Sequence, residues 1–137
     1  MAQVYDYTDA IADLGYLKCL SGRAVKLLWV IIRHYNKIKG SYPHYETITK
    51  KTGLDSGQIP RALDELRAWH IIRRTKIYHT NKNGLSYYSN KYFLICPDSL
   101  LKVTPEMKAK VDRILERRER FRRRKFLRLR NESKIRR

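Results

Sequence analysis

Residues 45–69 read YETITKKTGLDSGQIPRALDELRAW, and this stretch decides the fold. Tyr45 to Thr52 has the pattern of a short helix with Ile48 as its apolar anchor. Gly53 stands where a left-handed helix end or a tight turn needs a residue without Cβ, and Leu54 follows as a buried turn residue. Asp55 is a good cap for a next helix, which carries Ile59, Ala62, Leu63, Leu66 and Trp69 at steps of three and four. The stretch therefore predicts helix, turn, helix. Pro60 disturbs it. If Asp55 is the cap, Pro60 is the fifth helical residue, where it removes a backbone hydrogen bond and crowds the preceding turn. Alternatively the regular helix starts at Pro60, and Ser56–Ile59 form an irregular turn. Either way the tip of the second helix is expected to be kinked or shortened, with Ser56-Gly57 allowing close approach of the backbone.

Working outward, Ser21 caps a helix in which Ala24, Leu27, Leu28, Ile31 and Ile32 recur at helical spacing. It is expected to run to about Asn36, where Lys39-Gly40-Ser41-Tyr42-Pro43 breaks it. Further upstream, Tyr5, Ile11, Leu14 and Leu17 can line one face of a short helix; otherwise residues 1–20 are a tail packed loosely on the domain. Downstream the period changes. Ile71 to Thr80 and Leu85 to Ile95 are rich in β-branched and aromatic residues. Asn81-Lys82-Asn83-Gly84 between them is a hairpin signal, because Asn and Gly both tolerate positive φ.

Pro97 ends the second strand, and residues 98–103 connect to a new start signal. Thr104 supplies a capping hydroxyl, Pro105 suits the first turn, and Glu106 favours the positive end of the helix dipole. With no later proline or glycine, a helix to about Leu129 is expected. Met107, Val111, Ile114 and Phe121 form a short apolar seam interrupted by Arg118. The seam can pack on the domain or pair with a second copy in a short coiled coil. Arg117 to Arg137 holds 12 basic residues in 21, opposed only by Glu119 and Glu132.

The stretch from Leu20 to Ile95 resembles the winged-helix domains of plasmid and phage replication proteins and of small bacterial and archaeal transcription regulators. Ser21 to Asn36 is similar to their first helix, and Tyr42-Pro43 followed by Ile48 to the start of their second. Thr52-Gly53-Leu54-Asp55 is similar to their turn and cap. Ala62-Leu63-x-x-Leu66 followed by Ile71-Ile72 resembles the end of their recognition helix and the first wing strand. Ser89-Asn90-Lys91-Tyr92-Phe93-Leu94 resembles their second wing strand. Such families often place glycine after the recognition helix, where this chain has His70.

The resemblance implies an α+β, mainly α, winged helix-turn-helix fold over residues 21–96. Residues 1–20 form an N-terminal segment, and residues 97–137 form a connector and a long basic C-terminal helix. It also implies a DNA partner and the position of the reading head. In this fold the N-terminal part of the second helix of the motif meets base edges in the major groove. By matching positions Ser56, Gly57, Gln58 and Arg61 are the candidates, with Gln58 suited to adenine and Arg61 to guanine or phosphate. Asp64 and Glu65, further along, are expected to face away from phosphate. Lys50 and Lys51 at the end of the preceding helix are candidate backbone contacts. So are Arg74 and Lys76 on one face of the wing, with Arg73 and Ile77 on the other, and Lys82 and Asn83 at the wing tip. In the C-terminal segment Arg117, Arg120, Arg123, Arg124 and Arg128 are candidates. Winged-helix proteins often dimerise through an added helix, which makes a homodimer an expectation.

Charge points the same way. The 137 residues carry 31 Lys+Arg against 13 Asp+Glu, a formal net charge of +18. Self-repulsion of that size calls for an anionic partner, and nucleic acid is the usual one. The excess is uneven: residues 102–137 hold 16 basic and 5 acidic residues. A charge run this dense is best explained by phosphate contact, on duplex DNA or on RNA. The longest apolar run, Leu27 to Ile32, is far too short for a bilayer, and MAQVYDYTDA has no basic-then-apolar leader. A cytoplasmic protein without a membrane role is therefore expected, with Cys19 and Cys96 as free buried thiols. His34, His44, His70, His79 and the cysteines have no metal-ligand spacing, and no Walker loop, dinucleotide fingerprint or nucleophile elbow occurs. A non-enzyme with no cofactor follows.

Overall fold

The computed structural model describes residues 4–34 and 45–135; for residues 4, 5, 77, 87–89, 134 and 135 it describes the backbone alone. Several expectations fall outside the described residues: the place of the Tyr5 side chain, the end of a helix at Asn36, the break at Lys39–Pro43, the face taken by Ile77, and Arg136 and Arg137. The chain divides into two compact units, one ending at Val103 and the other beginning at Thr104.

The first unit runs α1 (Val4–Asp13), α2 (Tyr16–Cys19), α3 (Gly22–Arg33), α4 (Tyr45–Thr52), α5 (Gln58–Ala68), β1 (Ile72–Thr80), β2 (Ser86–Leu94) and a turn of 3₁₀ helix at Pro97–Ser99. This is the α+β, mainly helical order that the apolar periodicities predict. Ala24, Leu27, Leu28, Ile31 and Ile32 of α3 are buried, as are Ile59, Ala62, Leu63 and Leu66 of α5. Between these two stripes, with Ile48 and Leu54 closing one side, lies the core. Burying a side chain such as Leu66 contributes about 1.5–3 kcal/mol.

The N-terminal segment departs from expectation. Gly15, at φ 95, breaks it into α1 and α2, so Tyr5, Ile11, Leu14 and Leu17 do not share one helix face. Ile11 is buried, whereas Leu17 is half-exposed. The residue that matters is Tyr16, at 2% exposure. Its ring meets Trp69 edge-on with centroids 5.8 Å apart, and its hydroxyl donates to the Leu101 carbonyl at 2.8 Å. Val103 N–H donates to the Leu14 carbonyl at 2.9 Å. Residues 97–103, read as a connector to the last helix, thus fold with the N-terminal segment in the first unit.

β1 and β2 pair antiparallel, from Ile72 opposite Leu94 to Thr80 opposite Ser86. The turn is not one in which both Asn83 and Gly84 take positive φ. Gly84 alone does, at 78°. The Asn81 side chain accepts from the N–H groups of Asn83 and Leu85, and Asn81 N–H donates to the Leu85 carbonyl. This is the longer hairpin loop that ends in one left-handed glycine. The cysteines are free but not buried: Cys19 is half-buried and Cys96 exposed.

The second unit is α6 (Pro105–Ile135), a single helix capped by the Thr104 hydroxyl, which accepts from Met107 N–H at 3.2 Å. It runs six residues past Leu129, where the sequence reading ended it. None of the helices among the described residues is long and apolar enough to cross a membrane.

Candidate nucleic-acid interface

The turn between α4 and α5 is built by short side chains. Thr52 Oγ1 donates to the Ile48 carbonyl at 2.6 Å and accepts from Leu54 N–H at 3.2 Å. Gly53 takes φ 76, as its place predicted. Asp55 Oδ1 then accepts from the N–H groups of Gly57 and Gln58 at 2.9 and 2.8 Å. In return Gln58 Oε1 accepts from Asp55 N–H at 3.1 Å. The reciprocal bonds between Asp55 and Gln58 are the capping box of a helix start, with Gln58 N–H also reaching the Asp55 carbonyl at 3.2 Å.

The structure agrees with the alternative in which Asp55 is the cap. Ile59 N–H donates to the Asp55 carbonyl at 3.2 Å, so Pro60, fifth after the cap, stands where the next backbone donor would reach the Ser56 carbonyl, and the helix is regular only from Gln58. Ser56 and Gly57 are left exposed at the apex of the turn.

Gln58 and Arg61 face out of α5, but neither side chain is idle. The Gln58 carbonyl oxygen is held in the capping box, which leaves its NH₂ to face outward. Arg61 Nη1 donates to the Gly57 carbonyl at 2.9 Å. Asp64 is one turn beyond Arg61 on the same flank. Its carboxylate is 11% exposed and pairs with Arg67 at 3.9 Å. Glu65 does turn away: it is buried, and its carboxylate takes two hydrogen bonds from Ser21 at the start of α3.

Sequence reasoning passed over Arg67. Tyr92 on β2 stands opposite Arg74 on β1 and lies within electrostatic reach of Tyr45, Arg74, Arg67 and Asp64. Burial pushes the Tyr92 hydroxyl pKa up, Tyr45 and Asp64 add to this, and the two arginines oppose it. The helical step from Asp64 to Arg67 was legible; their electrostatic reach to Tyr92 was not.

Lys50 and Lys51 are exposed and both have partners. Lys50 pairs with Glu46 at 3.6 Å, and Lys51 Nζ donates to His34 Nε2 at 2.8 Å. Exposed pairs of this kind are worth under about 1 kcal/mol, so phosphate can replace them cheaply. On the wing, Arg74 and Lys76 share the face of buried Ile72. Arg73, on the opposite face, lies 4.5 Å over the Phe93 ring. Lys82 and Asn83 are exposed at the tip.

Residues 18–72 match the family model described as a helix-turn-helix domain. The chain carries a helix-turn-helix domain. No curated protein matches the chain. The matched span takes in α3, α4 and α5 and ends on the first residue of β1. Within it α4 and α5 are joined by the turn described above, and the capping box sets the leading turn of α5. Such a domain is a DNA-binding module, so DNA is the partner class of this chain.

The second unit is described by itself. On α6, Arg120 pairs with Glu116 at 2.8 Å and Arg122 with Glu119 at 3.5 Å. Arg117, Arg123, Arg124 and Arg128 are exposed. Met107, Val111, Ile114 and Phe121 fall along one flank of the helix by their spacing. At the far end of that seam Phe121 stands 63% exposed.

Proposed function

We propose that this protein is a sequence-specific binder of double-stranded DNA, without catalysis of its own, that acts in replication or transcription control of plasmid or viral DNA. One observation carries the reading. The helix-turn-helix buries the rear of α5 completely, while its leading turn holds Ser56, Gly57, Gln58 and Arg61 outward. An exposed, pre-capped helix start is suited to enter a major groove at little cost in ordering. Arg61 would exchange the Gly57 carbonyl for a base edge or a phosphate. Lys50, Lys51, Arg74, Lys76 and the wing tip would orient the domain on the backbone. The choice of replication or transcription rests on the family resemblance of the wing strand and of the end of α5.

The test is selection from a random duplex pool, with structured RNA as competitor in the same salt. Enrichment of one motif supports the reading. A palindrome would report a homodimer, with half-sites roughly 34–36 Å apart or a multiple of that. An unenriched pool, or displacement by RNA at equal concentration, overturns it.

A further inference from the structure

We propose that the C-terminal half of α6 carries a binding site for an unpaired nucleic-acid strand, with Phe121 as the surface on which a base stacks and Arg117, Arg124, Lys125 and Arg128 as its phosphate contacts. The proposal builds on the reading of this segment as a nucleic-acid contact and names the form of nucleic acid that it takes.

Four observations converge. The first is position. Steps of four, three and four from Arg117 give Phe121, Arg124 and Arg128, and Lys125 lies four residues after Phe121 on the same flank. Phe121, Arg124, Lys125 and Arg128 line one concavity of the surface. Second is pairing. Glu116 holds Arg120 and Glu119 holds Arg122. Among the described residues neither these acids nor Glu132 forms a hydrogen bond or ion pair with Arg117, Arg124, Lys125 or Arg128, which leaves the four cations around Phe121 for an external anion.

The third observation is the aromatic ring itself. Phe121 is 63% exposed at the centre of this cationic stripe. A phenyl ring among arginines gains nothing from phosphate alone. It gains from a base face, which an unpaired strand presents and a stacked duplex hides. The fourth observation removes the obvious competitor, a second copy of the helix. Continuing the apolar seam at the same steps puts Arg118, Lys125 and Arg128 at its next positions beside Phe121. Two copies meeting there would set like charges against each other, and Glu119 and Glu132 are the only acids beyond Glu116 to offset them.

The experiment measures fluorescence anisotropy of the full chain with labelled oligo(dT), oligo(U) and a blunt mixed-sequence duplex, each across a salt series. Phe121→Ala should weaken binding of at least one unpaired strand about 5- to 150-fold, the range that one base–aromatic stack supplies. It should leave the salt slope and duplex affinity unchanged, and Phe121→Trp should restore binding. Arg124→Ala should lower the salt slope for the strand by about 0.7. Whichever of oligo(dT) and oligo(U) shows the stronger Phe121 dependence identifies the strand. The proposal fails if Phe121→Ala leaves both strands unaffected, weakens duplex binding equally, or changes the sedimentation coefficient, as a dimer seam would. A Phe121-dependent strand affinity together with an unenriched duplex pool would sink the duplex reading and leave this one standing.

Discussion

Glu65, on α5, accepts hydrogen bonds from both the N–H and the hydroxyl of Ser21, at 2.7 and 2.6 Å. The Ser21 oxygen in turn accepts from Ala24 N–H at 3.3 Å, so one buried carboxylate reinforces the cap of a helix 44 residues away in the chain. This ties the orientation of α5 to the start of α3.

Glu65→Ala should destabilise the domain by about 2–3 kcal/mol, since it strips a charged acceptor from two partly buried donors. Ser21→Ala should cost about 1 kcal/mol. In a denaturant-unfolding double-mutant cycle the two should couple by at least about 0.5 kcal/mol. Additive losses would show that Glu65 acts by packing and not through Ser21.

His70 takes φ 58 just after α5, and among the described residues it is the one non-glycine with positive φ. His70 N–H donates to the Arg67 carbonyl and Ile71 N–H to the Leu66 carbonyl, which closes the helix in a Schellman motif. The left-handed conformation costs a side-chain-bearing residue about 1–2 kcal/mol. His70→Gly should raise stability by about 0.5–1 kcal/mol and the melting temperature with it. A lower melting temperature would mean that the imidazole makes a contact that outweighs the strain.

Burial raises the pKa of the Tyr16 hydroxyl above its ordinary value. A raised folded-state pKa gives stability that is complete below the unfolded pKa, near 10, and is lost as pH rises through the folded value. The protein should therefore weaken from about pH 10 upward, and Tyr16→Phe should show a shallower loss in that window. At neutral pH the same change should cost about 1 kcal/mol through the lost hydrogen bond. Parallel pH profiles for the two proteins would refute the assignment.

Arg61→Ala should weaken the selected duplex about 5- to 150-fold and broaden the motif at one position, the effect of losing a bidentate base contact worth about 1–3 kcal/mol. Footprinting and competition would read both. Unchanged affinity and footprint would confine Arg61 to its bond with Gly57.

Deleting residues 117–137 should flatten the salt dependence of duplex binding and leave the selected motif intact. If about six of the 12 cations neutralise phosphates, the log–log slope should fall in magnitude by roughly 5. An altered motif at an unchanged slope would place sequence readout in α6.

What the sequence by itself determined were features encoded over a few neighbouring residues. The apolar steps of α3 and α5, the Ser21 and Thr104 caps, Gly53 at its left-handed turn and the hairpin at Asn81–Gly84 are all local. Periodicity and capping chemistry need no distant partner. Asp55-x-x-Gln58 was equally local, and reading it as a capping box would have settled Asp55 as the cap, placed Pro60 fifth after it and shown that the Gln58 carbonyl oxygen is engaged. Only the tertiary structure decided that Tyr16 is core while Leu17 is half-exposed, and that Glu65 is buried beneath Ser21. It also decided that Arg67 lies within electrostatic reach of Tyr92 on the wing. Each of these depends on which surface covers a side chain, and the covering residues lie tens of positions away. The left-handed turn at His70 belongs with them. Glycine favours it far more than histidine does, but the two hydrogen bonds that close α5 and the burial of Ile71 hold the backbone there at the expense of a strained residue.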